Sequence, residues 1–224
     1  MDLTRRQWSA GIASAGLLGL SGSRAAVAQG APVEGVHYLR LPEPVPTVAG
    51  KIEAIEFFWY ECPHCNAFEP ALDAWSKRLP DDVAFRRVPV WFREEPFAVQ
   101  QRLFYTLDSL GLLPTLHARV FRAIHGERER LRTPEDIAAF ALKNGVEPIR
   151  FMTAYASPAV QAKAVQARHT AESYRVDAVP AIGVAGRYLT SGSLANNGSA
   201  PGSNERMLAV ADALIARTRQ AQRS

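Results

Sequence analysis

Cysteine is scarce in this chain: two in 224 residues, at positions 62 and 65. Two cysteines so close together are not a framework that staples a small fold. A bridge between them closes a very short loop and removes little entropy from the unfolded chain, so a purely structural disulfide explains the pair poorly. A redox or metal role is left to consider. Long apolar runs are lacking too. The apolar stretch near the start, Trp8 to Leu20, is too short to be read as a membrane span, and nothing like it recurs. There is no clustered basic face. The formal charge is +4, but residues 1–28 carry three arginines against one aspartate, so about +2 is left for residues 29–224. Basic residues are scattered, with no aromatic-interleaved stripe, which argues against nucleic-acid binding. Histidines at paired metal-ligand spacing are missing as well. His37, His117, His125 and His169 stand alone and read as surface or internally satisfied residues, so no metal is expected.

What is present is an ordinary globular composition, 47% hydrophobic and 21% charged. The length suits one generous domain or a domain with a large insertion. The first residues read as an address. Arg5 and Arg6 form a positive start, the mildly apolar stretch follows, and Ala26-Val27-Ala28 supplies small residues at a cleavage site. Thr4-Arg5-Arg6-Gln7-Trp8 resembles the twin-arginine export signal, although Ser9 and Ala10 replace its usual Leu and Lys. An ordinary secretory signal is the other reading. Either one predicts export to an oxidising compartment, where a dithiol can serve as a disulfide donor.

Residues 29–50 hold four prolines and one short strand-like run, Val36–Leu41, and read as an extended arm. Lys51–Tyr60 is nearly continuous in apolar and aromatic residues apart from Glu53 and Glu56, as suits a strand buried on both faces. A helix fits Pro63–Leu79, with Pro63 in its first turn and Pro70 expected to kink it at the lost bond to Asn66. Val83–Pro89 reads as a strand. From Phe97 to Tyr174 the spacing is helical throughout. Thr133-Pro134-Glu135-Asp136 is a helix start, Asn144-Gly145 a stop, and further helices fit Pro148–Ala156 and Ala159–Tyr174. Ala181–Val184 and Tyr188–Thr190 read as a hairpin, Ser191–Asn204 as a Gly/Ser/Asn-rich loop, and Glu205–Arg219 as a final amphipathic helix. This order predicts an α/β domain (residues 51–96 and 175–224) carrying an all-helical insertion (residues 97–174), behind the arm and a signal segment of residues 1–28.

Cys62-Pro63-His64-Cys65 sits at the predicted strand-to-helix junction. Unpaired N–H groups and the positive end of the helix dipole stabilise a thiolate there, and the thiolate is the reactive species in disulfide exchange. His64 adds a donor or a positive charge beside it. A stabilised thiolate favours the dithiol and so makes the disulfide more oxidising. Cys65, one turn on, is placed to attack a mixed disulfide. Haem attachment requires histidine after the second cysteine, and position 66 is asparagine. A zinc site lacks further ligands.

The run Glu56-Phe57-Phe58-Trp59-Tyr60-Glu61-Cys62-Pro63-His64-Cys65, followed by Phe68-Glu69, resembles the DsbA family of disulfide oxidases in the thioredoxin superfamily. Val179-Pro180-Ala181 resembles that family's Val–cis-Pro loop, and the likeness extends over about residues 36–219. DsbA is itself the standing example of a strongly depressed cysteine pKa and an oxidising disulfide. The resemblance implies a thioredoxin-like fold with an inserted helical domain, and a redox-active disulfide in place of any other cofactor. Cys62 would be the exposed nucleophile, Cys65 the buried resolving cysteine, and His64 the residue tuning the thiolate. Pro180 would be a cis-proline, with Val179 beside it contacting substrates. Glu56 and Glu69 match acidic positions of the family. A buried Glu56 with a raised pKa would assist proton movement at Cys65, whereas a solvated helix face is the alternative for Glu69.

The resemblance further implies a periplasmic monomer acting on reduced or unfolded exported proteins and reoxidised by a DsbB-like quinone-linked membrane protein. A reductase or isomerase is the rival within the class, and the short arm before Lys51 leaves no room for an isomerase's dimerisation domain. A peptide-binding chaperone with incidental cysteines is the rival outside it. One position departs from the family pattern. Glu61 precedes Cys62, where an acid disfavours the thiolate unless it points to solvent and is screened.

Overall fold

The computed structural model describes residues 31–92, 97–198 and 204–223. The export segment read at residues 1–28 lies outside them, as does part of the loop read at Ser191–Asn204. The fold is organised by one strand. Ile52–Phe58 (β2) is buried at every position. It pairs in parallel with Val83–Pro89 (β3) and antiparallel with Ala181–Val184 (β4). Tyr188–Ser191 (β5) closes a hairpin on β4, and Leu39–Arg40 (β1) adds an edge strand. The sheet order is β1-β5-β4-β2-β3.

Alternation along β2 sends its side chains to two different cores. Ile52 and Ala54 pack with Phe68, Leu72 and Trp75 of Pro63–Ser76 (α1), and with Met207, Ala211 and Leu214 of Asn204–Arg223 (α8). Ile55 and Phe57 pack toward the inserted helices. These are Phe97–Ser109 (α2), Leu113–His125 (α3), Pro134–Lys143 (α4), Pro148–Tyr155 (α5) and Pro158–Ser173 (α6), all between β3 and β4. The result is a mixed α/β thioredoxin-like fold with a helical insertion.

Local chemistry explains most of the boundaries. Thr133 and Asp136 form a reciprocal capping box at the start of α4, so two backbone donors that the helix leaves orphaned are satisfied. Ser157 caps α6, Glu147 caps α5, and proline occupies the first turn of each. Four expectations need correction. The strand-like run Val36–Leu41 contracts to Leu39–Arg40, because a turn closed by Gly35 N–H on the Tyr38 carbonyl (2.8 Å) takes up its first half. Helix α1 stops at Ser76 rather than Leu79, with Pro70 inside it as read. The loop at Ser191–Asn204 contains a short helix, Gly192–Ala195 (α7), capped by Ser191. Helix α8 begins one residue early and continues to Arg223.

Candidate active site

Strand β2 delivers the chain to Cys62, whose extended backbone makes it the N-cap of α1. The Cys65 N–H donates to the Cys62 Sγ at 3.3 Å, and Pro63 fills the first helical position, where no donor is needed. Both cysteines are free thiols, 6% and 0% exposed. A hydrogen bond from the Cys65 thiol is the largest influence on Cys62. With the backbone N–H groups of Cys65 and His64 and the charge of His64, it outweighs burial and lowers the Cys62 pKa to about 6. Cys65 moves the other way. Burial, then its contact with Cys62, pushes its thiol well above the ordinary range. Two sulfurs of one motif are thereby given opposite characters, one a stable thiolate and one a proton holder.

The chain returns to this point 117 residues later. The Val179–Pro180 bond is cis, and the Val179 carbonyl accepts from the Cys62 Sγ at 3.5 Å. Beneath the sulfurs lies a buried polar cluster. Glu56 on β2 is completely enclosed, with Arg87 of β3 in ionic contact at 3.1 Å. Arg87 also donates to Glu69 of α1 at 2.8 Å. Burial first, and the Glu69 charge second, raise the Glu56 pKa to about 8. His117 of α3 stands 3.5 Å from Glu69 and shares a 2.9 Å hydrogen bond with the Tyr60 hydroxyl. Burial holds the His117 pKa down, so its ring is neutral there. His125 bonds the Tyr60 carbonyl at 2.8 Å and fixes the loop before the nucleophile from the side of the insertion.

Glu61 does not point freely to solvent. Its carboxylate accepts two 2.7 Å bonds from Arg132 and a third, 2.9 Å, from the buried Gln100 amide. Only 9% of its side chain is exposed. The acid next to the nucleophile is neutralised by an ion pair instead of by solvent screening.

The DSBA-like thioredoxin domain model matches residues 53–200. The chain is 39% identical over 188 residues to the thiol:disulfide interchange protein DsbA of Burkholderia cepacia, covering 83% of this chain and 87% of that protein. It is 42% identical over 188 residues to the DsbA of Pseudomonas aeruginosa, with 84% and 86% covered. The chain belongs to the DsbA family. It is a protein disulfide oxidoreductase, with its redox pair Cys62–Cys65 at the N-terminus of α1. The crystal structure of P. aeruginosa DsbA superposes with a TM-score of 0.80 at 39% identity, covering 86% of this chain and 97% of that one. The oxidoreductase DsbA from Xylella fastidiosa gives 0.77 at 33%, with 85% and 100% covered.

Against that DsbA framework, the residues singled out in the sequence fall into two groups. Cys62, Pro63, His64, Cys65, Val179 and Pro180 converge on one spot, whereas Glu56 and Glu69 lie below it around Arg87. Glu69 is buried rather than on a solvated face. Cys62 is far less open than the exposed nucleophile expected of it, because the Val179 loop closes over its sulfur. Sequence reasoning missed His117, His125, Tyr60, Arg87, Gln100 and Arg132. Tyr60 lies in the motif run itself but carries no sign of its two histidine partners. The others carry no local spacing signal and reach the site only through tertiary packing.

Proposed function

We propose that the chain works as a disulfide donor to exported proteins in the periplasm. The observation that carries this reading is the depressed pKa of Cys62, which stabilises the dithiol product and so makes the disulfide form oxidising. A substrate thiolate attacks the Cys62 sulfur of the Cys62–Cys65 disulfide. The S–S bond breaks, its electron pair passes to Cys65, and that sulfur takes up a proton. A second substrate thiolate then attacks the substrate sulfur of the mixed disulfide, and Cys62 leaves as its thiolate. Two substrate thiols have become a disulfide, and two electrons rest on the protein as a dithiol.

Cys62 is the nucleophile of the reduced form and Cys65 the resolving residue, while Pro63 starts the helix and His64 contributes positive charge to the thiolate. Val179 and Pro180 offer backbone to the substrate chain. Glu56 and Glu69, tied through Arg87, manage the proton at Cys65. By family likeness a DsbB-like quinone-linked membrane oxidase removes the two electrons. Residues 1–28 are the export signal, cleaved near Ala28, and the mature protein acts as a monomer. Its thioredoxin-like domain comprises residues 51–96 and 175–224, with residues 97–174 as the insertion.

Equilibration of the mature protein in graded glutathione buffers tests the direction. Reduction of the Cys62–Cys65 disulfide more readily than glutathione disulfide is the expected result. Resistance to reduction of the kind thioredoxin shows would move the protein to the reductase side. Cys62→Ser should abolish disulfide transfer, and aggregation suppression that survives the change would point to a chaperone component.

A further inference from the structure

A cavity of about 430 Å³ opens immediately beside the nucleophile. Glu61 and Pro63, the residues on either side of Cys62, form one wall. The opposite wall is the segment between α3 and α4, which contributes Arg128, Arg130 and Arg132. Three arginines in five positions are brought to the rim by the way this segment is held. Leu131 is buried in the insertion core at 1% exposure, so its neighbours Arg130 and Arg132 face outward. Arg128 and Leu131 both adopt left-handed backbone, φ 60° and 46°, a conformation that non-glycine residues keep only where surroundings impose it. Gln100 supplies part of that constraint, because one buried amide donates to both the Leu131 carbonyl (3.3 Å) and Glu61 (2.9 Å).

The charges of the cavity do not cancel. Glu61 is taken by Arg132. Glu129, the other acid on the wall, lies 2.5 Å from Lys143, which it shares with Glu127. Arg128 and Arg130 are exposed and make no ion pair among the described residues. Two exposed guanidinium-bearing residues thus line a concave space that Glu61 and Pro63, the neighbours of the nucleophile, line as well.

We propose that this cavity is a substrate subsite for an acidic side chain, an aspartate or glutamate close to the reacting cysteine of the polypeptide being oxidised. Arg128 and Arg130 receive its carboxylate, while Arg132 stays on Glu61. The segment from α3 to α4 then selects substrates by charge. The inference rests on the disulfide-donor reading, and the test separates the two.

Three reduced peptides, identical except for Glu, Gln or Lys beside the cysteine, are oxidised by the full mature protein. Each rate is divided by that peptide's rate with glutathione disulfide, because an adjacent acid raises a thiol's own pKa and slows it. The expected normalised preference for Glu over Gln is about two- to fivefold at low salt, the scale of an exposed ion pair, and it shrinks as salt is added. In the double variant Arg128→Asn, Arg130→Gln the preference should vanish while the Gln peptide's rate and the glutathione equilibrium hold. Asparagine suits the left-handed backbone at position 128. Arg150→Gln on α5 makes a single charge change outside the cavity, and there the preference should survive. Equal normalised rates for all three peptides overturn this inference alone. So does a preference that persists in the double variant, or one that Arg150→Gln removes. A protein that oxidises none of the peptides overturns the donor reading and this inference with it.

Discussion

Arg132 grips Glu61 from 71 residues away, Nε to Oε1 and Nη2 to Oε2, both at 2.7 Å. This two-point geometry, the strongest a guanidinium and a carboxylate can make, occupies the acid adjoining the nucleophile. Arg132→Met should leave that negative charge unmatched next to Cys62 and move the thiolate midpoint upward from about 6. Glu61→Gln added to the same chain should bring it back down. Ultraviolet absorbance of the thiolate against pH reads both, and an unmoved midpoint in Arg132→Met would contradict the shielding role.

The reduced and oxidised proteins should separate in stability as pH rises. In the reduced fold Cys62 titrates at about 6, against an ordinary thiol value of 9.0. Between those values the unfolded chain holds a proton that the folded chain has released, so stability climbs by about 1.4 kcal/mol per pH unit. Below about pH 6 the contribution is lost. Glu56 acts in the opposite sense. Its pKa is raised from 4.5 to about 8, so across that window the folded state holds the extra proton and stability falls with pH. Glu56 belongs to both redox forms, so their difference removes its contribution apart from the part that the Cys62 thiolate itself adds. Denaturant titrations of each form from about pH 5 to about pH 8 make the comparison. A gap that fails to widen above pH 6 rejects the depressed thiol.

Arg87 is the shared counterion of two buried acids, at 3.1 Å from Glu56 and 2.8 Å from Glu69. Removing one partner of a buried pair strands the other charge, a loss of about 3–5 kcal/mol. Arg87→Met should therefore destabilise by that order at high pH, and by less in acid, where the glutamates can protonate. Unfolding free energies at two pH values decide it, and a loss independent of pH would mean that packing rather than charge is responsible.

Gly183 on β4 lies against the ring of Tyr174. A Cβ there would sit 2.3 Å from Cε1 and 2.8 Å from Cδ1. The ring has little room to retreat, because it packs on Phe57 at 5.1 Å and its hydroxyl accepts the Gly186 N–H at 3.0 Å. Gly183→Ala should cost about 1–3 kcal/mol through overpacking. Thermal unfolding measures it, and a variant as stable as its parent would show that the ring yields.

The sequence revealed what is written in consecutive residues. The apolar run of β2, the Thr133 cap and the prolines that start α1, α4 and α5 are local signals, and each lies where its chemistry put it. Helix α7 was invisible because four residues carry no period. The partner of Glu61 was invisible for a different reason. Arg132 is an ordinary residue 71 positions away, and only the assembled tertiary structure pairs it with the motif. Val179 was legible through the family likeness of Val179-Pro180, but the closeness of its carbonyl to the Cys62 sulfur was not. His117 and His125 likewise looked isolated along the chain, yet both bond to Tyr60.

Strand β3 runs parallel to β2 and β4 runs against it, so the Pro89 end of β3 and the Ala181 start of β4 both lie beside Phe57–Phe58. The helices α2–α6 therefore leave and rejoin the sheet along the same margin that carries the sulfurs, at points about two strand spacings apart, or ~10 Å. That seam makes the insertion a collar that shares the sheet's core. Exchanging it between relatives would replace the arginine-lined rim together with Arg132, Gln100 and His117, and so would alter the surroundings of Glu61 and Glu69 while Cys62, Cys65, Glu56 and Arg87 stay in place.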